Sequence, residues 1–262
     1  MTAAEITLVS WNVNGLRAAA QKDFHGSAAA MNADIVAIQE TKLQGAQMTP
    51  ALSDLPGHTS FWSHCEVKKG YSGVGVYTRI APRAVRHGIG QPRFDGEGRI
   101  LELDFDRFVL LNVYFPNGGM SEERLQYKLD FYEAFFEYAD GLRSRGRSLV
   151  VCGDYNTAHR EIDLANPRAN QNTSGFLAIE RAWLDRIVSR GYVDTFRHLH
   201  PDEARYSWWT YRFQARQRNI GWRIDYFFVT GDLIDNGSVR RAFIDNDVHG
   251  SDHCPVGLTL AI

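Results

Sequence analysis

The feature that most narrows what this chain can fold into is a recurrence of short apolar runs, each about the length of one strand. They lie at 6–11, 34–39, 73–78, 100–105, 108–114, 149–152 and 224–229. Runs this short, bounded by polar or turn-forming residues, read as buried strands rather than helices. Polar clusters follow the strand ends repeatedly: Asn12 and Asn14, Glu40, Asn117, Asp154 and Asn156, then Asp252 with His253. Strands packed side by side would gather these clusters at one rim, where a site would be built.

Two segments read as helices. Ser121 can cap the first, Glu122 and Glu123 suit its positive end, and Leu125, Leu129, Tyr132, Phe136 and Ala139 share one face. Arg143 and Arg145 suit its negative end, and Gly146 stops it. The second spans about 175–190, with Phe176, Ile179, Trp183 and Ile187 spaced for one face. Strands far outnumber helices, and hairpin-like and helix-crossed connections both occur, so a sheet-rich α/β layered sandwich is expected. Without a Pro/Ser-rich linker, low-complexity tract or repeat, residues 1–262 read as one domain.

Composition bounds the compartment and the partner. No apolar run approaches the roughly 20 residues that span a bilayer, and the first residues enter a strand-like pattern with no room for a signal peptide. Cys65, Cys152 and Cys254 are odd in number and lack CxxC spacing, so neither a disulfide framework nor a zinc site is expected. A reducing, intracellular and cytoplasmic setting follows. The net charge of -2 excludes a general basic field for nucleic acid, so a DNA partner would need a local patch.

Gly153–Asp154–Tyr155–Asn156 follows an apolar run, and Asp154 and Asn156 project to one side of extended backbone. A carboxylate beside an amide can hold a hard cation or orient a water. Alone, the segment reads first as a turn. Asn12 and Asn14 repeat the spacing with the same ambiguity. Glu40 closes the run 35–38, where a carboxylate is costly unless paired or metal-bound, which favours function. Asp252 and His253 are adjacent, and an oriented imidazole suits acid–base work, although an isolated histidine is more often structural. Together these groups supply oxygen ligands, amides and one imidazole without thiolates. That set selects Mg²⁺, with Mn²⁺ as a substitute, over Zn²⁺, and suits a phosphodiester that brings oxygen ligands of its own.

Residues 206–228 interleave Trp208, Trp209, Tyr211, Phe213 and Trp222 with Arg212, Arg216, Arg218 and Arg223, with no acid before Asp225. Arginines suit phosphates, and aromatics suit stacking or filling the space of a missing base. The alternative, an aromatic core with a solvated basic loop, weighs about evenly.

Taken in order, WNVNGLRA, QETK, GYSGVGVYT, YFPNG, GDYNTAHREIDLANP, YSWWTYR, GWRIDYFF and GSDHCP resemble the exonuclease III family of AP endonucleases from about residue 6 to the C terminus. The resemblance implies a four-layered α/β sandwich, two packed mixed sheets flanked by helices. It implies a Mg²⁺-dependent repair nuclease that cuts 5′ to abasic sites, with 3′–5′ exonuclease and 3′-phosphodiesterase activity. Its partner would be double-stranded DNA carrying abasic or 3′-blocked damage, met by a monomer and with no membrane.

The same resemblance makes Glu40 the main metal ligand, supported by Asn12 and Asn14, and puts Asp252 near a second metal position. Asp154 orients or deprotonates water, and His253, held by Asp225, contacts the scissile phosphate. Asp154, Asn156 and His253 are counted with both the catalytic and the metal-side groups. Asn117, Asn156 and Asn170 are placed at the DNA backbone, and Tyr114 near the phosphate or leaving group. Trp208, Trp222 and Ile224 line a pocket for a flipped abasic sugar, and Arg212 and Arg216 are backbone contacts. Trp208 stands where other members have Phe, and Thr173 where relatives have a second Asn. The segments 162–183 and 114–125 also resemble archaeal members that incise at deoxyuridine. The rivals are another phosphoesterase of the superfamily, such as a phosphoinositide phosphatase, sphingomyelinase or nonspecific nuclease, and a silent DNA-binding module. The aromatic–arginine segment discriminates against the former. The presence of Glu40, Asp154, Asp225, Asp252 and His253 discriminates against the latter.

Overall fold

The computed structural model describes residues 4–262. Its strands are β1 (Glu5–Asn12), β2 (Ile35–Gln39), β3 (Thr59–Ser63), β4 (Val74–Thr78), β5 (Ala84–His87), β6 (Ile100–Asp104), β7 (Val109–Tyr114), β8 (Leu149–Asp154), β9 (Tyr192–Asp194), β10 (Asp225–Thr230), β11 (Val239–Ile244) and β12 (Val256–Ala261). They form two six-stranded sheets, ordered β11-β12-β1-β2-β4-β3 and β5-β6-β7-β8-β10-β9. Each sheet has one parallel pair at its centre, β1 with β2 and β7 with β8, and antiparallel pairs elsewhere.

All seven runs expected as strands are strands, with ends moved by a few residues. β3, β5, β9, β11 and β12 lie outside that expectation. Four of them, β3, β5, β9 and β11, are edge strands, and β11 carries two consecutive exposed arginines, Arg240 and Arg241, instead of forming an apolar run. β12 is buried throughout, but Gly257 and Thr259 interrupt its apolar character.

The inner faces of the sheets pack on each other through Leu8, Ala37, Val76, Leu103, Leu110, Val150, Phe227 and Leu258. Buried amides cross this apolar layer: Gln39 Nε2 donates to Asn112 Oδ1 at 2.7 Å, and Asn112 Nδ2 donates to the carbonyls of Ile38 and Gly75. These bonds tie β2 and β4 to β7 across the apolar layer and fix the relative register of the sheets, although Gln39 Oε1 itself has no partner. Outside the first sheet, helices Leu16–Ala20 and Phe24–Ala30 bury Leu16, Ala19, Phe24 and Ala28 against Trp11, Val36 and Ile38. Outside the second lie helices Glu122–Ser144 and Ala178–Ser189. The result is the expected four-layered sandwich.

The long helix follows its sequence signals. Ser121 Oγ accepts from Arg124 N, a cap of about 1 kcal/mol, and Gly146 leaves the helix with φ of +77°. The second helix departs from expectation. It starts at Ala178, and its buried stripe is Glu180, Trp183, Leu184 and Ile187, with Ile179 exposed. A glutamate occupies a place on the apolar face, for a reason that emerges below. Among the described residues, no helix is long and apolar enough to cross a membrane.

Strand direction decides where the polar clusters go. β1 and β2 are parallel, as are β7 and β8, so each pair ends together. β12 runs antiparallel to β1, and β10 antiparallel to β8, so both begin at that same rim. The register pairs Asp154 with Tyr114 on one side and Asp225 on the other. Residues far apart in the chain therefore meet at one edge of the sandwich.

Candidate active site

The strand exits at this rim are made by unusual backbone. Asn14, Glu40, Lys42 and Asn156 all have positive φ, between 49° and 54°. Such values are uncommon for residues with a Cβ and are retained where the surroundings impose them, often at functional sites. Gly153, expected to be part of a turn, instead lies inside β8 with φ of +140°. A Cβ there would sit 1.8 Å from the carbonyl oxygen of Val113, so only glycine lets β8 reach Asp154 beside β7.

The two sheets are joined at the rim by Asn12, which is fully buried. Its Nδ2 donates to Glu40 Oε1 at 3.0 Å and to Asp154 Oδ2 at 2.9 Å, and its Oδ1 accepts from Asn14 N. Glu40 Oε1 also accepts from the Tyr114 hydroxyl at 2.8 Å, and its Oε2 pairs with Lys42 Nζ at 2.8 Å. Lys42 also donates to Asn14 Oδ1. Asp252 Oδ1 accepts from Asn14 Nδ2 at 2.9 Å, and its Oδ2 accepts from Trp208 Nε1 at 3.2 Å.

On the other side of Asp154 stands the imidazole of His253. Its Nδ1 donates to Asp225 Oδ2 at 2.8 Å, and its Nε2 lies 3.9 Å from Asp154 Oδ2. Ser207 Oγ donates to the same Asp225 oxygen at 2.6 Å. Asn156 closes the group: its backbone N–H donates to Asp154 Oδ1 at 2.7 Å, while its side-chain amide donates to the Phe115 carbonyl and accepts from Asn117.

These contacts separate the charge states. Burial opposes ionisation of Glu40, but Lys42 and the hydrogen bonds from Asn12 and Tyr114 outweigh it, leaving a carboxylate more acidic than usual. Burial pushes Asp154 up to about 7; His253 opposes that rise, and Asp225 and Glu40 add to it. For His253, burial favours the neutral ring, but Asp225 overrides it and raises the pKa to about 10. Burial and then Glu40 hold the Tyr114 phenol well above its usual value, against the Arg99 guanidinium centred 4.6 Å from its ring. At neutral pH the rim therefore presents an anion at Glu40, an imidazolium at His253 and, at Asp154, a carboxylate poised to exchange a proton.

Above these groups opens a cleft of about 330 Å³. One wall is apolar, formed by Trp208, Trp222 and Ile224, which pack with Ala158, Leu164 and Phe176. The indoles of Trp208 and Trp222 meet edge to face, with ring centres 6.3 Å apart. The polar floor is Glu40, Tyr114, Asp154 and His253.

This arrangement agrees with three comparisons. The model of the endonuclease/exonuclease/phosphatase family matches residues 9–253. The chain belongs to that family. It is 45% identical over 257 residues to an exodeoxyribonuclease of Bacillus subtilis (strain 168), covering 97% of this chain and 99% of that one. It is 38% identical over 262 residues to the DNA repair nuclease APEX1 of Danio rerio, covering 99% and 84% respectively. An AP endonuclease from Leishmania major superposes with a TM-score of 0.89 at 30% identity, over 98% of this chain and 88% of the other.

Within this member of the endonuclease/exonuclease/phosphatase family, most residues picked from the sequence converge on the cleft. Asn14, Glu40, Tyr114, Asn117, Asp154, Asn156, Trp208, Trp222, Ile224, Asp252 and His253 line it. Asn12 and Asp225 lie directly beneath, bonded to groups that do. Asn170 is not among the lining residues; its amide donates to the Asn166 carbonyl, and Thr173, Ser174 and Gly175 form the neighbouring wall. The aromatic–arginine segment splits. Trp209 is core, Arg223 is buried against Asp163 and Asp194, and Arg216 donates to the carbonyls of Asn246, Val248 and Ser251 while lying 4.8 Å from the Trp209 ring centre. Arg216 thus braces the loop before Asp252, and only Arg212 and Arg218 of the four arginines are exposed.

Three contributors were not assigned roles from the sequence. Lys42 belongs to the QETK run, and its place two residues after Glu40 is the available signal. Ser207, which steadies Asp225, had none. Lys128 sits on the apolar stripe of its helix, between Leu125 and Tyr132.

Proposed function

We propose that this hydrolase of the endonuclease/exonuclease/phosphatase family is a DNA-repair nuclease that cuts the phosphodiester 5′ to an abasic site. The observation that carries this reading is the apolar wall of Trp208, Trp222 and Ile224 set directly beside Asp154 and His253. A sugar without a base can enter such a wall, whereas a nucleotide with its base must be unpaired and accommodated at greater cost. The names of the similar proteins support the same reading.

The donor set fits a hard divalent cation. Glu40 Oε2 and Asn14 Oδ1 both face the Lys42 ammonium, a position already built for positive charge, and Asp252 adds a second carboxylate on the other end of the Asn14 amide. Asp154, Asp225 and His253 form a second buried acidic group, but His253 Nδ1 is already bonded to Asp225, so its ring faces the cleft through Nε2. Glu40, with Asn12, Asn14 and Asp252 in support, would hold Mg²⁺ or Mn²⁺. When bound, the ion neutralises phosphate charge and stabilises the leaving oxygen.

The protein groups carry the rest. Asp154, with its pKa near neutrality, accepts the proton of the attacking water. Protonated His253 donates through Nε2 to a phosphate oxygen, held in that orientation by Asp225 and Ser207. Asn117, one amide hydrogen of which holds Asn156, donates the other to the phosphate from the facing wall. Asn156, whose own amide hydrogens go to the Phe115 carbonyl and Asp154, must release one of them to contact the phosphate, and the protonated Tyr114 lies near the departing oxygen. The chain acts as a monomer inside the cell, and 3′–5′ exonuclease and 3′-phosphodiesterase activities use the same groups at a DNA end.

The test is a labelled-duplex panel with and without Mg²⁺: an abasic analogue, a blunt 3′ end, a 3′-blocked nick, a deoxyuridine site and, outside DNA, an inositol phosphate. Mg²⁺-dependent cleavage fastest at the abasic analogue supports the proposal. Preference for the inositol phosphate, or equal cleavage of damaged and intact duplex, overturns it.

A further inference from the structure

Behind the cleft, and touching none of its space, lies an ion pair between Lys128 and Glu180. Both side chains are completely buried, with Lys128 Nζ 2.7 Å from Glu180 Oε1. They project from different helices onto what are otherwise apolar stripes: Leu125, Leu129 and Tyr132 on one, Trp183, Leu184 and Ile187 on the other. Burying two charges costs several kcal/mol per ion before their attraction repays it, and apolar residues of similar volume often serve stability as well or better. Helix capping accounts for part of Glu180, whose Oε2 accepts from Leu177 N. It does not account for Lys128, or for placing the pair in the core.

The remaining bonds of the pair all run to the walls of the cleft. Lys128 Nζ donates to the carbonyl oxygen of Asn156 at 2.8 Å. Glu180 Oε2 accepts from Gly175 N at 2.6 Å, and Oε1 accepts from Ser174 Oγ at 3.2 Å. Asn156, at φ of +51°, is the left-handed residue that turns the chain after Asp154 and donates its N–H to that carboxylate. Gly175 belongs to the opposite loop and is wedged tightly. A Cβ added to it would lie 3.2 Å from the Asn156 carbonyl oxygen and 3.2 Å from the Trp222 ring. One buried pair thus grips both the turn that presents Asp154 and Asn156 and the loop that backs Trp222.

We propose that Lys128 and Glu180 are positioning residues for hydrolysis, holding the Asn156 turn and the 173–177 loop at the separation that seats the scissile phosphate over Asp154 with the sugar against Trp222. The charges are needed because three groups of fixed direction, one carbonyl and two N–H donors, must be drawn to a single buried point. An apolar pair fills the volume but does not aim them. This inference deepens the hydrolase reading and rests on it.

The test compares Glu180→Gln with the double variant Lys128→Met/Glu180→Gln. Melting temperature, duplex Kd, the Mg²⁺ midpoint and single-turnover rate are measured on whichever duplex substrate the wild type cuts. The wild-type panel therefore judges the abasic reading separately. Glu180→Gln leaves Lys128 buried without its anion and should lower the melting temperature. Adding Lys128→Met removes the stranded charge in a side chain of similar length and should recover much of that loss. The rate should stay about 10- to 100-fold down in both variants, with duplex Kd and Mg²⁺ midpoint within about threefold of wild type, because the single variant loses the anion that holds Lys128 on the Asn156 carbonyl and the double variant loses that donor itself. Recovery of the rate together with stability in the double variant makes the pair a scaffold only and overturns the proposal. If Glu180→Gln does not fold, the neutral double variant decides alone: wild-type turnover in it overturns the proposal, and slow turnover with normal DNA binding supports it.

Discussion

Asp225→Asn tests the electrostatics of the site most directly. Asparagine keeps the shape and an acceptor for His253 Nδ1–H and Ser207 Oγ, but removes the anion 2.8 Å from the ring. Two unit charges about 4 Å apart interact by about 4 kcal/mol at an effective dielectric of about 20. At about 1.4 kcal/mol per pKa unit, that corresponds to roughly three pH units. With Asp225 present, His253 is raised to about 10; without it, burial again favours the neutral ring, and the imidazolium should be lost near pH 7 to 8. If protonated His253 contacts the phosphate, the alkaline limb of the rate profile moves down by that interval, while the rate well below neutrality falls less. Stability carries the same sign. Because the folded-state pKa lies above the usual 6.5, the His253–Asp225 coupling stabilises fully below about pH 6.5 and is lost as pH rises toward 10. The assay is single-turnover cleavage of a duplex with a tetrahydrofuran abasic analogue, which resists alkaline strand scission, alongside thermal melting over the same pH range. An alkaline limb that stays where it is in Asp225→Asn refutes the reasoning.

Glu40→Gln removes one formal charge with little change of shape, so the fold should persist while the Mg²⁺ titration of cleavage moves to higher concentration; an unchanged titration removes Glu40 as principal ligand. Asp154→Asn keeps the bond from Asn12 but not the proton acceptor, and should lower the single-turnover rate by at least about 10²-fold with duplex binding retained; a near-normal rate puts the base elsewhere. Trp222→Ala opens the wall beside Gly175 and should erode the preference for abasic over intact duplex more than it weakens binding, whereas Arg212→Ala should weaken all duplexes alike and flatten the salt dependence by about one phosphate contact. An intact abasic preference in Trp222→Ala would make that indole structural and place damage recognition elsewhere.

Much of this protein is legible in the chain because the signals are local. An apolar run needs only its own residues to announce a buried strand, and Ser121 and Gly146 mark a helix within a few residues of its ends. The order of motifs from Asn12 to His253 likewise identified the family and most of the residues that line the cleft. Tertiary structure decided what depends on direction and on distant partners. Asn12 meets Asp154 across 142 residues, and Asn14 meets Asp252 across 238, because parallel and antiparallel pairing brings those strand ends to one rim. The arginines between 212 and 223 are chemically alike in sequence, yet Arg212 faces solvent, Arg216 braces a loop and Arg223 lies in a buried ion cluster. Ile179 and Glu180 exchange the places that apolar periodicity assigns them, because Glu180 answers a buried lysine on another helix. Periodicity reports that a face is buried. It carries no information about which charge waits on the opposite face, and that charge is set by packing between segments that are remote along the chain.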